Sequence, residues 1–382
     1  MMQAMGSLQG RLLAALLCVI GLGACVTVQQ RDLDKVGRAT RSLVFPEPPD
    51  EPRFVFERAI RASADVVPES ESNALKRALT GTSDESVERL AKPYAIAVRK
   101  GKIFISDSAT RAVKVFDVPG RRYYKIGEES GDGQIGKPLG LDVDAAGNLY
   151  VADATLKRVA VFDGEGKHLR NIGNAKMFER LSSVTVDDAG ERIYVVDIGV
   201  VASDHHRVRV FNARTGAHLA DIGKRGTGPG EFNLPRDVAL GKDGRIYVVD
   251  GGNFRVQIFD KDYKFIKAFG SVGKQIGNFV RPKEIAADRD GNVYVADSAF
   301  GNFQIFNSEG ELLMFIGDRS EQDLPAGYML PSGITVDEDG RVFFVDQWFA
   351  RIDVFRPYAL KETDGYLGRG VVKGATKTAG SK

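Results

Sequence analysis

Two short sequences pair an acid with a base directly after a proline: Pro235-Arg236-Asp237 and Pro282-Lys283-Glu284. Carboxylates held side by side can bind a hard cation through oxygen alone, as calcium sites do, or exchange protons during hydrolysis. Other chemistries find less material. The four histidines are His168, His205, His206 and His218, and adjacent His205 and His206 cannot readily converge on one ion. The cysteines are Cys18 and Cys25, and no Ser/His/Asp or Cys/His constellation stands out. Aromatic candidates for a recognition surface are Phe254, Phe300, Trp348 and Phe349.

What positions these residues is a repeat. Six short hydrophobic strands end in aspartate, at Asp107, Asp153, Asp197, Asp250, Asp297 and Asp346. The intervals are 46, 44, 53, 47 and 49 residues. An aromatic follows each, at Phe116, Phe162, Phe211, Phe259, Phe306 and Phe355: nine residues on in five repeats, fourteen in the third. Those five extra residues lie within Gly199–His206. A period in the forties signals a repeat architecture whose units cannot bury both faces alone and must stack. Each unit reads as four strands, A to D, with strand A opening on a proline in five units and on Leu181 in the third. The aspartate is expected to tie the turn between strands B and C, with the arginine five residues on in Arg158, Arg255 and Arg351.

The sixth unit lacks a strand D, while Arg53–Ile60 near the N-terminus has the cadence of one. The expectation is a ring closed by this N-terminal strand, leaving no open sheet edge. Residues 61–92 then connect the closing strand to the first unit, with a short helix near Ser72–Leu79.

Two residues past the start of each strand A the series runs Ala95, Gly140, Ser183, Asp237, Glu284, Gly333. Arg236, Asp237, Lys283 and Glu284 are therefore expected at the mouth of a central channel, with the four aromatics in loops on the same face.

Composition sets outer bounds. Lysine plus arginine minus aspartate plus glutamate is 53 − 51 = +2, so no global charge points to nucleic acid. Arg11 precedes an apolar run from Leu12 to about Leu22, the length of a signal-peptide core. The run ends in Leu22-Gly23-Ala24-Cys25, which resembles a bacterial lipoprotein box. That resemblance implies removal of residues 1–24, lipidation of Cys25, and placement in the cell envelope. Val26 after the cysteine favours the outer membrane. Residues 25–51 end in a proline-rich stretch expected to act as a stiff tether, and 361–382 are expected to form a disordered tail.

Gly226–Asp260, with its Gly-Pro-Gly-Glu-Phe, Arg-Ile-Tyr-Val-Val-Asp and Arg-Val-Gln-Ile-Phe-Asp segments, closely resembles the NHL repeat, and the match recurs across residues 93–356. The resemblance implies an all-β, six-bladed β-propeller of the bacterial lipoprotein type, over residues 52–360. It further implies a single-copy binding or scaffolding module that meets an envelope protein or peptide through its loop-rich face. A calcium-dependent hydrolase or lyase at the channel mouth, with Asp237 and Glu284 as oxygen ligands, stays open as the alternative.

Overall fold

A computed structural model describes residues 43–81, 87–200 and 202–368. The chain divides into two units, Met1–Val44 and Phe45–Lys382, and the second is a six-bladed β-propeller. Its blades are antiparallel sheets whose innermost strands are Pro93–Arg99, Pro138–Val143, Leu181–Val186, Pro235–Leu240, Pro282–Ala287 and Pro331–Val336. These six strands touch their neighbours all the way round, including the sixth against the first.

Strand alternation explains how one sheet serves two interfaces. In the fourth blade Ile246 and Val248 face the third blade, while Tyr247 and Val249 face the fifth. The hydrophobic core is thereby distributed among the six junctions between blades, which is why no blade is stable by itself. The repeated strand-C phenylalanines are all buried in these junctions.

The ring closes as the sequence suggests. Phe54–Ile60 pairs antiparallel with Arg351–Pro357, setting Phe56 opposite Phe355 and Ile60 opposite Ile352. Inside this seam the Glu57 carboxylate receives the Arg341 guanidinium at 2.8 Å, both side chains fully buried, with Arg356 at 3.5 Å and Arg58 at 2.9 Å. The propeller begins earlier than expected, because the ring of Phe45 stacks edge-on against Phe355 at 5.6 Å. It also ends later. Residues 365–368 form a helical turn that buries Leu367 between the first and last blades, and Arg341 donates to the Asp364 carbonyl at 2.9 Å. Of the expected tail, residues 369–382 lie outside the described residues. The connection after the closing strand carries the helix Glu71–Thr80, close to its expected position.

Each repeated aspartate is fully buried and does more than hold its own turn. Asp153 accepts the Gly136 and Lys137 N–H groups from the D–A loop at 2.7 and 3.0 Å. It also accepts Thr155 and Leu156 from the B–C turn at 3.0 and 3.1 Å. The other five receive N–H groups from their D–A loops in the same way. The arginines five residues on correct the expectation. Only Arg255 reaches its own aspartate, Asp250, at 2.9 Å. Arg158 donates to the Asp132 and Gln134 carbonyls, and Arg351 to those of Leu324 and Gly327. Their job is to clamp the D–A loop backbone.

Deleting residues 52–61 is expected to lower the melting temperature far more than deleting 370–382. Glu57→Ala alone is expected to cost about 3–5 kcal/mol, since it strands a buried guanidinium. Thermal unfolding of the three variants checks this, and equal melting temperatures for the two deletions would refute closure by the N-terminal strand.

Candidate functional site

The innermost strand of a propeller blade has one unpaired edge, and that edge faces the channel. Its N–H groups need acceptors, and acidic side chains from the neighbouring blade supply three of them. Asp237 Oδ2 accepts the Ile285 N–H of the fifth blade at 2.9 Å. Its Oδ1 accepts the Ser183 hydroxyl of the third blade at 2.5 Å and the Val238 N–H at 2.8 Å. Glu284 takes the Ile334 N–H of the sixth blade. Asp142, which lies outside the series compared in the sequence, receives the Thr185 hydroxyl at 2.6 Å and the Val186 N–H at 2.9 Å. Asp237 and Glu284 are thus brought to the channel as expected, but as staples between blades.

Burial decides their protonation. It raises the Asp237 carboxyl to about 6, against the downward pull of its three donors. Burial, with Asp237 nearby, pushes Glu284 well above the usual carboxylate range, and burial lifts Asp142 too. These groups line a cavity of about 540 Å³ that runs along the axis past Ser183 toward Arg99 and Glu338. Among the described residues, no three His, Cys, Asp or Glu side chains are grouped as a metal ion would need.

The bases flanking these acids sit one residue nearer the loop-rich face. Lys283 donates to the Pro331 carbonyl at 3.2 Å and lies 5.9 Å from the centre of the Tyr94 ring. Burial and neighbouring cations bring its ammonium down to about 8, against the pull of Glu284. Arg236 is exposed. The aromatics divide. Trp348 is 65% exposed, whereas Phe254, Phe300 and Phe349 are half-buried, and the Phe349 ring lies 5.3 Å under the Arg351 guanidinium.

The lengthened loop of the third blade is internally tied. Glu179 holds the His205 ring at 2.5 Å and the Ser203 hydroxyl at 3.0 Å. His206 turns away, buried, and accepts the Leu234 N–H at 3.1 Å. The two histidines do not converge; Ser203 Oγ donates to Glu179 and accepts the His205 N–H, so the three side chains tie the loop to itself.

Residues 232–259, which span the repeat after its Gly-Pro-Gly-Glu lead, match the NHL repeat family. The molecule is a six-bladed β-propeller carrying this repeat. The sequence is 39% identical over 89 residues to NHL repeat-containing protein 3 of Mus musculus, covering 23% of this chain and 24% of that one. The match therefore spans about a quarter of the relative's length. Among solved structures, a protein of unknown function from Bacteroides thetaiotaomicron VPI-5482 superposes with a TM-score of 0.55 at 18% identity, covering 71% of this chain and 70% of that one. A gluconolactonase from Xanthomonas campestris gives 0.52 at 16% identity, covering 79% and 98%. At such identities the likeness speaks for the fold alone.

A raised carboxyl stabilises the fold below its ordinary range and loses that contribution as pH rises through its folded-state value. The stability difference between the parent and Asp237→Asn is therefore expected to shrink between pH 4 and pH 7. The change amounts to up to about 3 kcal/mol. Denaturant unfolding of both proteins across that range checks it; a constant difference would show that Asp237 titrates normally.

Proposed function

We propose that this chain is a lipid-anchored, cell-envelope propeller that binds a protein or peptide partner through its loop-rich face. The observation that carries the reading is the exposed Trp348, the sequence's single tryptophan and the most exposed aromatic among the described residues. Leu324, 51% exposed, lies in the D–A loop leading into the same blade. Arg351 fixes both neighbourhoods, by donating to the Leu324 carbonyl at 2.6 Å and stacking on Phe349. A rigid aromatic and a leucine on clamped loops are the anchors that protein interfaces use. The anchor part of the proposal rests on the sequence Leu22-Gly23-Ala24-Cys25, which lies outside the described residues. No helix among the described residues is long and apolar enough to cross a membrane.

Cys25→Ser is expected to move the protein from the membrane to the soluble envelope fraction, because two acyl chains anchor stably and an unmodified leader does not. Fractionation that leaves the serine variant on the membrane would overturn the lipid anchor.

Trp348→Ala with Leu324→Ala is expected to keep the melting temperature while losing a captured envelope partner by at least about tenfold. Arg214→Ala, on an exposed turn of the opposite face, is expected to retain it. Affinity capture with quantitative recovery compares the three proteins; equal recovery would overturn the loop-face reading.

A further inference from the structure

The two mouths of the central channel are electrostatically unlike. At the A–B turn end, Arg99 is neutralised by Glu338 at 3.2 Å and Asp188 at 3.3 Å. At the loop end, among the described residues, the three arginines have no such partners. Arg180 and Arg281 stand immediately before the innermost strands of the third and fifth blades; Arg236 and Lys283 are the second residues of those strands in the fourth and fifth. All three residues lie at the surface, and none of their guanidiniums makes a hydrogen bond or ion pair among the described residues. Their mutual proximity shows in their effects. Burial and then the charges of Arg180 and Arg281 disfavour the Arg236 cation, while Arg236 and Arg281 together disfavour that of Lys283.

Several arginines elsewhere are engaged by structure. Arg158, Arg255 and Arg351 clamp loops, Arg341 closes the ring, and Arg209 pairs with Asp221 at 2.9 Å. The backbone beneath the unpaired cations is pinned all the same. The Ser182 hydroxyl donates to the Arg236 carbonyl at 3.1 Å, and Ser332 to that of Tyr94 at 2.7 Å. Tyr94, in the first blade, brings its half-buried ring against Lys283 and into the field of Arg236. A fixed scaffold thus gathers like charges that repel one another, a repulsion that an arriving oxyanion relieves.

We infer that the loop-side mouth of the channel is an oxyanion-binding site, in which Arg180, Arg236, Arg281 and Lys283 engage a carboxylate or phosphate over the ring of Tyr94. The inference deepens the loop-face reading by assigning that face an anionic ligand class. Carboxylate and phosphate share the recognition chemistry, planar or tetrahedral oxygens facing forked donors, so the two are separated by experiment.

The test titrates the full chain with citrate and, separately, pyrophosphate, with sodium chloride at matched ionic strength as the control, reading heat of binding and melting temperature. The parent is expected to bind at least one of the two anions, with a rise in melting temperature beyond that in chloride; the tighter anion identifies the class. Arg180→Ala with Arg236→Ala and Arg281→Ala is expected to weaken binding by at least about tenfold. Without anion, that triple variant is expected to melt no lower than the parent, because repulsion has been removed. The corresponding triple lysine variant should recover part of the affinity. Absence of binding by either anion, or equal binding by parent and triple alanine variant, would overturn the site. Tighter binding of a single-stranded thymidine oligonucleotide than of both small anions would overturn it in favour of a nucleic-acid face. If the anions fail while the Trp348 and Leu324 variant still loses its partner, the loop-face reading stands and the oxyanion site alone falls.

Discussion

Everything on the loop-rich face hangs from one repeated contact, a fully buried aspartate at the end of strand B that accepts backbone N–H groups from two loops at once. A carboxyl group deprived of water is costly unless several donors replace the lost hydration, and four N–H groups do so at Asp153. The exchange fixes the loop that enters a blade relative to the turn within it. Six repetitions give a face whose loops are irregular in sequence yet held in place, as recognition surfaces need. At Asp250 the device is enlarged, with Asn253, Arg255 and Gln257 side chains all donating to it at 2.8–2.9 Å.

The channel obeys a different constraint. Innermost strands present unpaired N–H groups to the axis, and a propeller has no further sheet to cover them. Asp142, Asp237 and Glu284 answer this by reaching across to the next blade, which explains acids in a place where they are expensive. Their cost appears as carboxyls that hold protons more tightly than in water, and it is tolerable because each also ties two blades together. The same residues looked like cation ligands in the sequence because a staple and a ligand demand the same oxygen atoms.

At the loop-side mouth three arginines gather whose guanidiniums have no hydrogen-bond or ion-pair partner among the described residues. Several arginines elsewhere end on carbonyls or carboxylates, among them Arg341 of the Glu57–Arg341 pair that locks the last blade to the N-terminal strand. Uncompensated arginines on a pinned backbone are an expense that folding does not require, and such expenses concentrate where a protein meets its ligand. Trp348 and Leu324 add an apolar element on the same face, so it offers both an anchor and a charge.

Repetition made the fold readable. A strand ending in aspartate and another ending in phenylalanine recur too regularly to allow another architecture, and the break in the sixth unit pointed to closure by residues 54–60 because a blade missing its outer strand leaves an edge. The limits of the ring were less legible. Phe45 and Leu367 are single apolar residues outside the repeat, and only their packing against the closing blades shows that they belong to it. Comparing one position per blade found Asp237 and Glu284 and missed Asp142, which stands two places further along its strand. The sequence determined that acids and bases would meet at the axis, since repeat spacing alone brings equivalent positions together. Which of them would be spent on holding blades and which left free was decided by the tertiary structure. That outcome depends on hydrogen-bond partners contributed by the neighbouring blade, 43 to 54 residues away, and on the side from which each side chain leaves its strand.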